Sequence, residues 1–368
     1  MSNGQLAIDA DGVWFIAQQD RDTSQGTLFL TKTTVNGDTL VPETNVDGPG
    51  PLYYGWGSLT VTDAGVVVSF MREDPDNHAY VRAFDEAGVA LAAPRRVEID
   101  GAFMTALTPA PAGHARLLTS VTSAAGNGVT LVDLDATGAP TGTTITAGTA
   151  GTDQIDGIAT ATLGDGSTLI GWDHGGYTDC GGPGTPARTV TAIVDPSWNI
   201  SAQASLGDQP DRQEMGPVVA SRDGAAYIAW TELTPDSTST WLAPYAGTDA
   251  AVEVEAVQQI VLADAAHGAL VWASTDSMIN VQPFENTGNG LALGDPHAYP
   301  PVASGPELYV SLAGAASLGG TRYLLAWQEQ WLDYSGPTRL YATVIDLAEP
   351  APATPDHGAP RVRTRPCI

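Results

Sequence analysis

The densest set of chemically capable side chains in the 368-residue chain lies in one glycine-rich stretch, WDHGGYTDCGGPGTP, from Trp172 to Pro186. It carries Asp173, His174, Tyr177, Asp179 and Cys180. An imidazole can act as acid, base or metal ligand near neutral pH. His174 and Tyr177 are therefore candidates for the base and acid of a polysaccharide lyase or hydrolase, with a nearby carboxylate in support. Against this, no second histidine lies close in sequence, and HExxH, CxxC, GxSxG and P-loop patterns are missing throughout. No catalytic residue is assigned. Asp173 and His174 are read as ligand contacts, the alternative being a solvated loop.

Aromatic residues collect beside polar ones in three further stretches. PLYYGWG holds Tyr53, Tyr54 and Trp56; DPHAYPP holds His297 and Tyr299; WQEQWLDYSG adds Trp331 and Tyr334 after Trp327. Ring faces stack on the C–H patches of sugars while polar neighbours take the hydroxyls, so these residues are candidates for a sugar cleft. The structural alternative is that they cover apolar parts of the fold. In REDPDNH, Asp74, Asp76 and Asn77 have calcium-like spacing but lack the glycine and terminal Glu of an EF-hand loop. They are the weak candidates for a metal; Ca²⁺ could bind, and no cofactor is expected.

Repeats position these groups. LGGTRYLLAWQEQ followed by TRLYATVIDLAEP recurs as DGSTLIGWDH with ARTVTAIVDPSWN, and as DGAAYIAWTE with STWLAPYAGTD. Four weaker copies bring the total to seven, spaced by roughly 50 residues, which is the length of a four-stranded propeller blade. Approximate blade limits are 4–50, 56–98, 102–149, 154–207, 213–255, 257–300 and 305–352, followed by a tail at 353–368. Each unit reads as strands A, B, C and D. A glycine marks every A-to-B turn: Gly12, Gly65, Gly113, Gly166, Gly224, Gly268 and the pair Gly319–Gly320. Such a glycine is expected to supply the positive φ of a tight hairpin. An acid opens the C-to-D turn at Asp85, Asp135, Asp195, Glu285 and Asp346, where it can accept the turn's N–H groups. With antiparallel strands, these short turns share one face, and the longer B-to-C and D-to-A connections share the other, which is the expected working face.

Alignment of the units brings Trp172, Trp230 and Trp327 into register with Gln18, Met71, Thr119 and Ser274. Packing between neighbouring blades is their simplest role. Two residues on stand Asp20, Glu73, Val121, His174, Glu232, Asp276 and Glu329. Carboxylates there could face a ligand, with Glu232 and Glu329 the candidates, or could brace their own loops, or pair with an arginine such as Arg72 or Arg322. The units resemble the blades of seven-bladed propellers with repeats of the YLLAW…RLYATVID type, seen in secreted or surface-attached bacterial proteins. The resemblance implies an all-β, seven-bladed β-propeller of four-stranded antiparallel blades. It implies no particular activity.

Composition agrees. With 41 Gly and 26 Pro, a helical bundle is excluded. A net charge of −27 repels phosphate backbones and anionic lipid, so nucleic-acid and peripheral membrane partners are not expected. No apolar run reaches membrane-spanning length. The opening MSNGQLAIDADG shows no signal-peptide pattern. A mature extracellular, periplasmic or cell-surface domain is expected, a cytoplasmic one being left open, and a monomer is favoured. In the tail, Arg361, Arg363 and Arg365 form the one basic cluster; RVRT could add an edge strand to the last blade, and a Cys180–Cys367 disulfide would pin it. The reading reached is a binding module for a carbohydrate or protein ligand, with a polysaccharide-active enzyme and a structural scaffold as rivals.

Overall fold

In the computed structural model of the chain, the residues described are 6–19, 27–47, 57–72, 78–123, 126–151, 155, 157–174, 188–201, 203–206, 213–233, 237–245, 251–302, 308–331 and 339–348. Blade 1 comprises β1 (Leu6–Ile8), β2 (Val13–Gln19), β3 (Thr27–Thr33) and β4 (Thr39–Asn45). Blade 2 comprises β5 (Ser58–Thr62), β6 (Gly65–Arg72), β7 (His78–Phe84) and β8 (Arg95–Arg96). Blade 3 follows with β9 (Ala102–Pro109), β10 (Ala115–Val121), β11 (Asn127–Leu134) and β12 (Pro140–Gly151). Blade 4 has β13 (Ile158–Thr162), β14 (Thr168–His174), β15 (Arg188–Val194) and β16 (Ala204–Leu206). In blade 5 are β17 (Gln213–Arg222), β18 (Ala225–Leu233), β19 (Thr238–Pro244) and β20 (Val252–Val254). Blade 6 holds β21 (Gln259–Leu262), β22 (His267–Ala273), β23 (Ile279–Asn286), β24 (Leu291–Leu293) and β25 (His297–Tyr299). The described part of blade 7 is β26 (Leu308–Gly319), β27 (Arg322–Trp331) and β28 (Arg339–Asp346).

Every sheet is antiparallel with strands in sequence order. The innermost strands β1, β5, β9, β13, β17, β21 and β26 contact one another in ring order, and β26 closes onto β1. The chain is thus a seven-bladed β-propeller. The fifth strand of blade 6 is an interruption, not an addition. β24 pairs with Phe284–Asn286 and β25 with Ile279–Val281, so both lie along one edge of β23 as a broken outer strand.

The core is a series of seams between blades. Trp172 packs into the blade 3 cluster with Leu131 and Ala147, Trp230 onto Leu206 of blade 4, and Trp327 into the blade 6 cluster with Val271 and Val281. Burying one indole removes about 200 Å² from water, worth about 5 kcal/mol as an upper bound. Trp272 packs in the same way on Tyr227 and Leu242 of blade 5, so it, and not Ser274, is the blade 6 counterpart.

That shift has a local cause. Gly268 is not a turn residue: it lies within β22 opposite Leu262, and a Cβ there would meet Phe284 Cζ at 2.6 Å. The turn sits earlier, where Asp264 Oδ1 accepts the N–H groups of Ala266 and His267, each at 2.8 Å. Gly12 likewise has no positive φ; the Asp9 carboxylate caps that turn through the N–H groups of Asp11 and Gly12. Positive φ does occur at Gly65, Gly113, Gly166, Gly224, Gly319 and Gly320. Two devices, glycine and carboxylate, therefore make the same hairpin.

The C-to-D turns show the carboxylate device most clearly. Asp85 Oδ1 accepts from Ala87 and Val89, Asp135 Oδ1 from Thr137 and Ala139, Asp195 Oδ1 from Asn199, and Asp346 Oδ1 from Ala348. In blade 6 the cap is Asn286, which accepts from Gly288 at 3.0 Å; Glu285 lies in the strand beside His267. Among the described residues no helix is long and apolar enough to cross a membrane.

Candidate ligand-binding site

Three of the expected contact residues sit where strand B meets the long-loop face, and each is bonded inward. Glu329 is 2 % exposed. Its Oε1 accepts the indole N–H of Trp327 at 2.8 Å and the backbone N–H of Val302 at 2.6 Å, fastening the connection from blade 6 to the B strand of blade 7. Glu232 is buried and accepts from the indole of Trp230 at 3.3 Å. Asp173 is buried as well. Its Oδ1 accepts from Gly157 at 2.5 Å and its Oδ2 from Gly216 at 2.9 Å, which ties blade 4 to the inner strand of blade 5. The repeated acid at this register is a Trp-X-Glu brace in blades 5 and 7. In blade 4 position 174 is histidine, and the Trp172 indole N–H is buried without a partner.

His174 ends β14 opposite Arg188, and Trp331 ends β27 opposite Leu308; their side chains lie outside what is described. Tyr53, Tyr54, Trp56, Tyr177 and Tyr334 also lie outside the described residues, as do Asp74, Asp76 and Asn77, the Cys180–Cys367 pairing and the tail. His297 and Tyr299 form the broken outer strand of blade 6, facing Val281 and Ile279 at the long-loop end. Both are half-buried; burial pushes the Tyr299 hydroxyl pKa up, and His297 Nδ1 is buried without a hydrogen-bond partner.

A polar cluster in the seam between blades 1 and 2 escaped the sequence reading. Asp47, which follows β4, is 1 % exposed, and among the described residues its carboxylate has no side-chain hydrogen-bond partner. Burial raises its pKa, a shift that Arg72 and Arg82 and the neighbouring N–H groups of Asp47 itself and Leu28 only partly offset. Arg72 and Arg82 instead donate to backbone: Arg72 Nη2 to the Asp47 carbonyl, Arg82 Nη1 to those of Val46 and Asn45. The signal in the sequence is a pair of nitrogen-bearing residues, Arg72 and His78, flanking the blade 2 B-to-C loop. The backbone acceptor of Arg72 lies 25 residues back, beyond the reach of a local pattern.

The four histidines with described side chains separate the two faces. On the short-turn face, His114 Nδ1 lies 3.5 Å from Asp133, and His267 Nδ1 lies 3.0 Å from Asp264. Toward the long-loop end, the Nδ1 atoms of His78 and His297 are buried and unpartnered. Among the described residues no group of three or more His, Cys, Asp or Glu side chains is placed to hold a metal ion.

No protein-family model matches the chain, and no curated protein matches it by sequence. Solved structures do match in fold. The chain is similar to the polysaccharide lyase Uly1, with a TM-score of 0.59 and 10% identity over 94% of this chain and 90% of that one. A protein of unknown function from Dyadobacter fermentans gives a TM-score of 0.51 at 10% identity, covering 94% and 93% of the two chains. The β-propeller domain of the Trilobed protease from Pyrococcus furiosus, described as having an open velcro topology, gives 0.50 at 10% identity, covering 94% and 95%. At such identities the likeness establishes the propeller architecture that the strand order and ring closure already define.

Proposed function

We propose that this propeller is a binding module that engages carbohydrate on the face carrying the B-to-C and D-to-A connections. The observation that carries the reading is the histidine asymmetry: His114 and His267 are matched to carboxylates on the short-turn face, whereas His78 and His297 keep buried, unpartnered ring nitrogens toward the other. Unused hydrogen-bonding capacity beside half-buried Tyr80 and Tyr299 suits a ligand with both hydroxyls and apolar C–H faces. The buried carboxylates Asp173, Glu232 and Glu329 support that surface from beneath through the bonds described above. Direct stacking falls to Tyr53, Tyr54, Trp56, Trp331 and Tyr334. A fold neighbour that acts on polysaccharide is compatible with this ligand class.

A glycan array probed with the purified chain tests the proposal. Binding to a defined glycan, reduced at least tenfold by Trp56→Ala or Trp331→Ala and unchanged by Val89→Ser on the short-turn face, is expected. An array without hits, or hits indifferent to both tryptophan changes, would contradict it. Turnover of the bound glycan that disappears in His174→Ala, with binding retained, would identify an enzyme instead.

A further inference from the structure

The seam between blades 1 and 2 combines an unsatisfied acceptor with unsatisfied donors. Arg72 is held by its Nη2 bond to the Asp47 carbonyl, and its guanidinium lies over the rings of Phe70 and Tyr80, 5.6 and 4.7 Å from their centroids. Its Nε is buried without a partner. His78 faces Arg72 across the β6–β7 ladder, is 2 % exposed, and has an unpartnered Nδ1. Paired residues of a ladder project from the same side of the sheet, so the two side chains share one face. The Asp47 carboxylate completes the set, buried and, among the described residues, without a side-chain hydrogen-bond partner.

Charge selects the ligand. Among the described residues, Arg72 and Arg82 bring two positive charges to the seam against the single negative charge of Asp47. A monoanion balances the remaining charge. Two adjacent donors match the two oxygens of a carboxylate, and an unfilled acceptor beside them matches a hydroxyl. Arg72, Tyr80 and Arg82 are half-buried and form the partly exposed rim of the seam, beneath which Arg72 Nε, His78 Nδ1 and the Asp47 oxygens are buried.

We propose that the blade 1–blade 2 seam is a subsite for an acidic sugar, whose carboxylate accepts from Arg72 Nε and His78 Nδ1 while a neighbouring hydroxyl donates to Asp47. The assignment rests on the carbohydrate-binding reading and narrows it to uronates.

Isothermal titration of the chain with D-glucuronate, D-glucose and acetate tests this, repeated on Arg72→Lys, which keeps the charge but removes Nε, and on His78→Phe, which keeps a ring but removes Nδ1. Glucuronate should bind at least tenfold tighter than glucose or acetate, and each variant should lose that advantage while its thermal midpoint shows that it is folded. Should a variant fail to fold, Asp47→Ala, which removes both acceptor oxygens, replaces it, with glucuronate as the ligand, and the same loss is expected. Equal binding of glucose and glucuronate, or glucuronate binding indifferent to these changes, would overturn the subsite and leave carbohydrate binding standing. A glutamate-terminated peptide binding as tightly as glucuronate would overturn the sugar assignment. Ordered water alone bridging Asp47, Arg72 and His78 in a glucuronate-soaked crystal would overturn the subsite as well. Absence of any glycan binding would remove the broader reading.

Discussion

The indole N–H of Trp327 donates to the carboxylate of Glu329, two residues further along the same strand, at 2.8 Å. The pair solves a problem set by packing. A tryptophan large enough to fill the seam between two blades also carries a polar N–H into it, and the i+2 carboxylate on the same strand face accepts that proton donor. Trp230 and Glu232 repeat the arrangement at 3.3 Å.

Loss of the brace should be costly. Glu329→Ala strands two buried donors, the Trp327 indole and the Val302 amide, and is expected to destabilise the chain by about 2–4 kcal/mol. Glu329→Gln retains an acceptor oxygen and should cost about 1 kcal/mol. Urea unfolding of both variants checks the difference; equal losses would show that charge, not acceptance, is what the position supplies.

Blade 4 offers the converse change. Among the described residues Trp172 has no acceptor for its buried N–H, and the residue two positions on is His174. Restoring the brace with His174→Glu should stabilise the chain by about 1 kcal/mol. If the WDHGGYTDC loop contacts ligand, the same variant binds its glycan more weakly. Thermal denaturation and glycan titration of one variant read both effects.

Lys32 is the chain's only lysine and is 3 % exposed. Its Nζ lies 2.6 Å from Asp9 Oδ2 and 5.0 Å from the centroid of the Trp14 ring. An amine-directed ester should leave Lys32 unmodified in the folded protein and modify it in denaturant. Peptide mass mapping gives the result directly; ready modification in native buffer would contradict the buried ion pair.

Acid should unfold the chain through its turns. Burial would raise the Asp9 pKa, but Lys32, the Trp14 indole and the N–H groups of Asp11 and Gly12 together hold it below the usual carboxylate range. Asp135, Asp165, Asp195, Asp264 and Asp346 are lowered in the same direction by turn N–H or side-chain donors. A carboxylate whose folded pKa is depressed contributes fully above its unfolded value, about 3.9 for Asp, and loses that contribution as pH falls through the folded value. Asp47 has the opposite sign: its contribution is full below the unfolded value and is lost as pH rises through the folded one. Urea midpoints should therefore be flat near neutrality and fall below about pH 4, and Asp47→Asn should raise the neutral midpoint relative to the acidic one.

The blade count and strand order were legible because YLLAW and RLYATVID repeat the same alternation of faces, and because Asp85, Asp135, Asp195 and Asp346 mark equivalent turns. The phase of blade 6 was not. Gly268 falls in register with the turn glycines of the other units, yet it is small because Phe284 leaves no room for a side chain. A linear register cannot tell a glycine required by φ from one required by a neighbour, and the error displaced Trp272 from its equivalents. The recurring acids were visible, whereas their inward bonds to indoles and to Val302, Gly157 and Gly216 depend on contacts between strands and blades. The Asp47–Arg72 seam was hidden for the same reason: its members come from different blades.

Hydrogen–deuterium exchange of the chain with and without its best glycan tests the central claim most directly. Ligand binding on the long-loop face predicts protection in the segments at 45–57, 72–80 and 297–302, with turns 85–89, 135–139 and 264–267 unchanged. Protection confined to those three turns, with none in the long-loop segments, would contradict it.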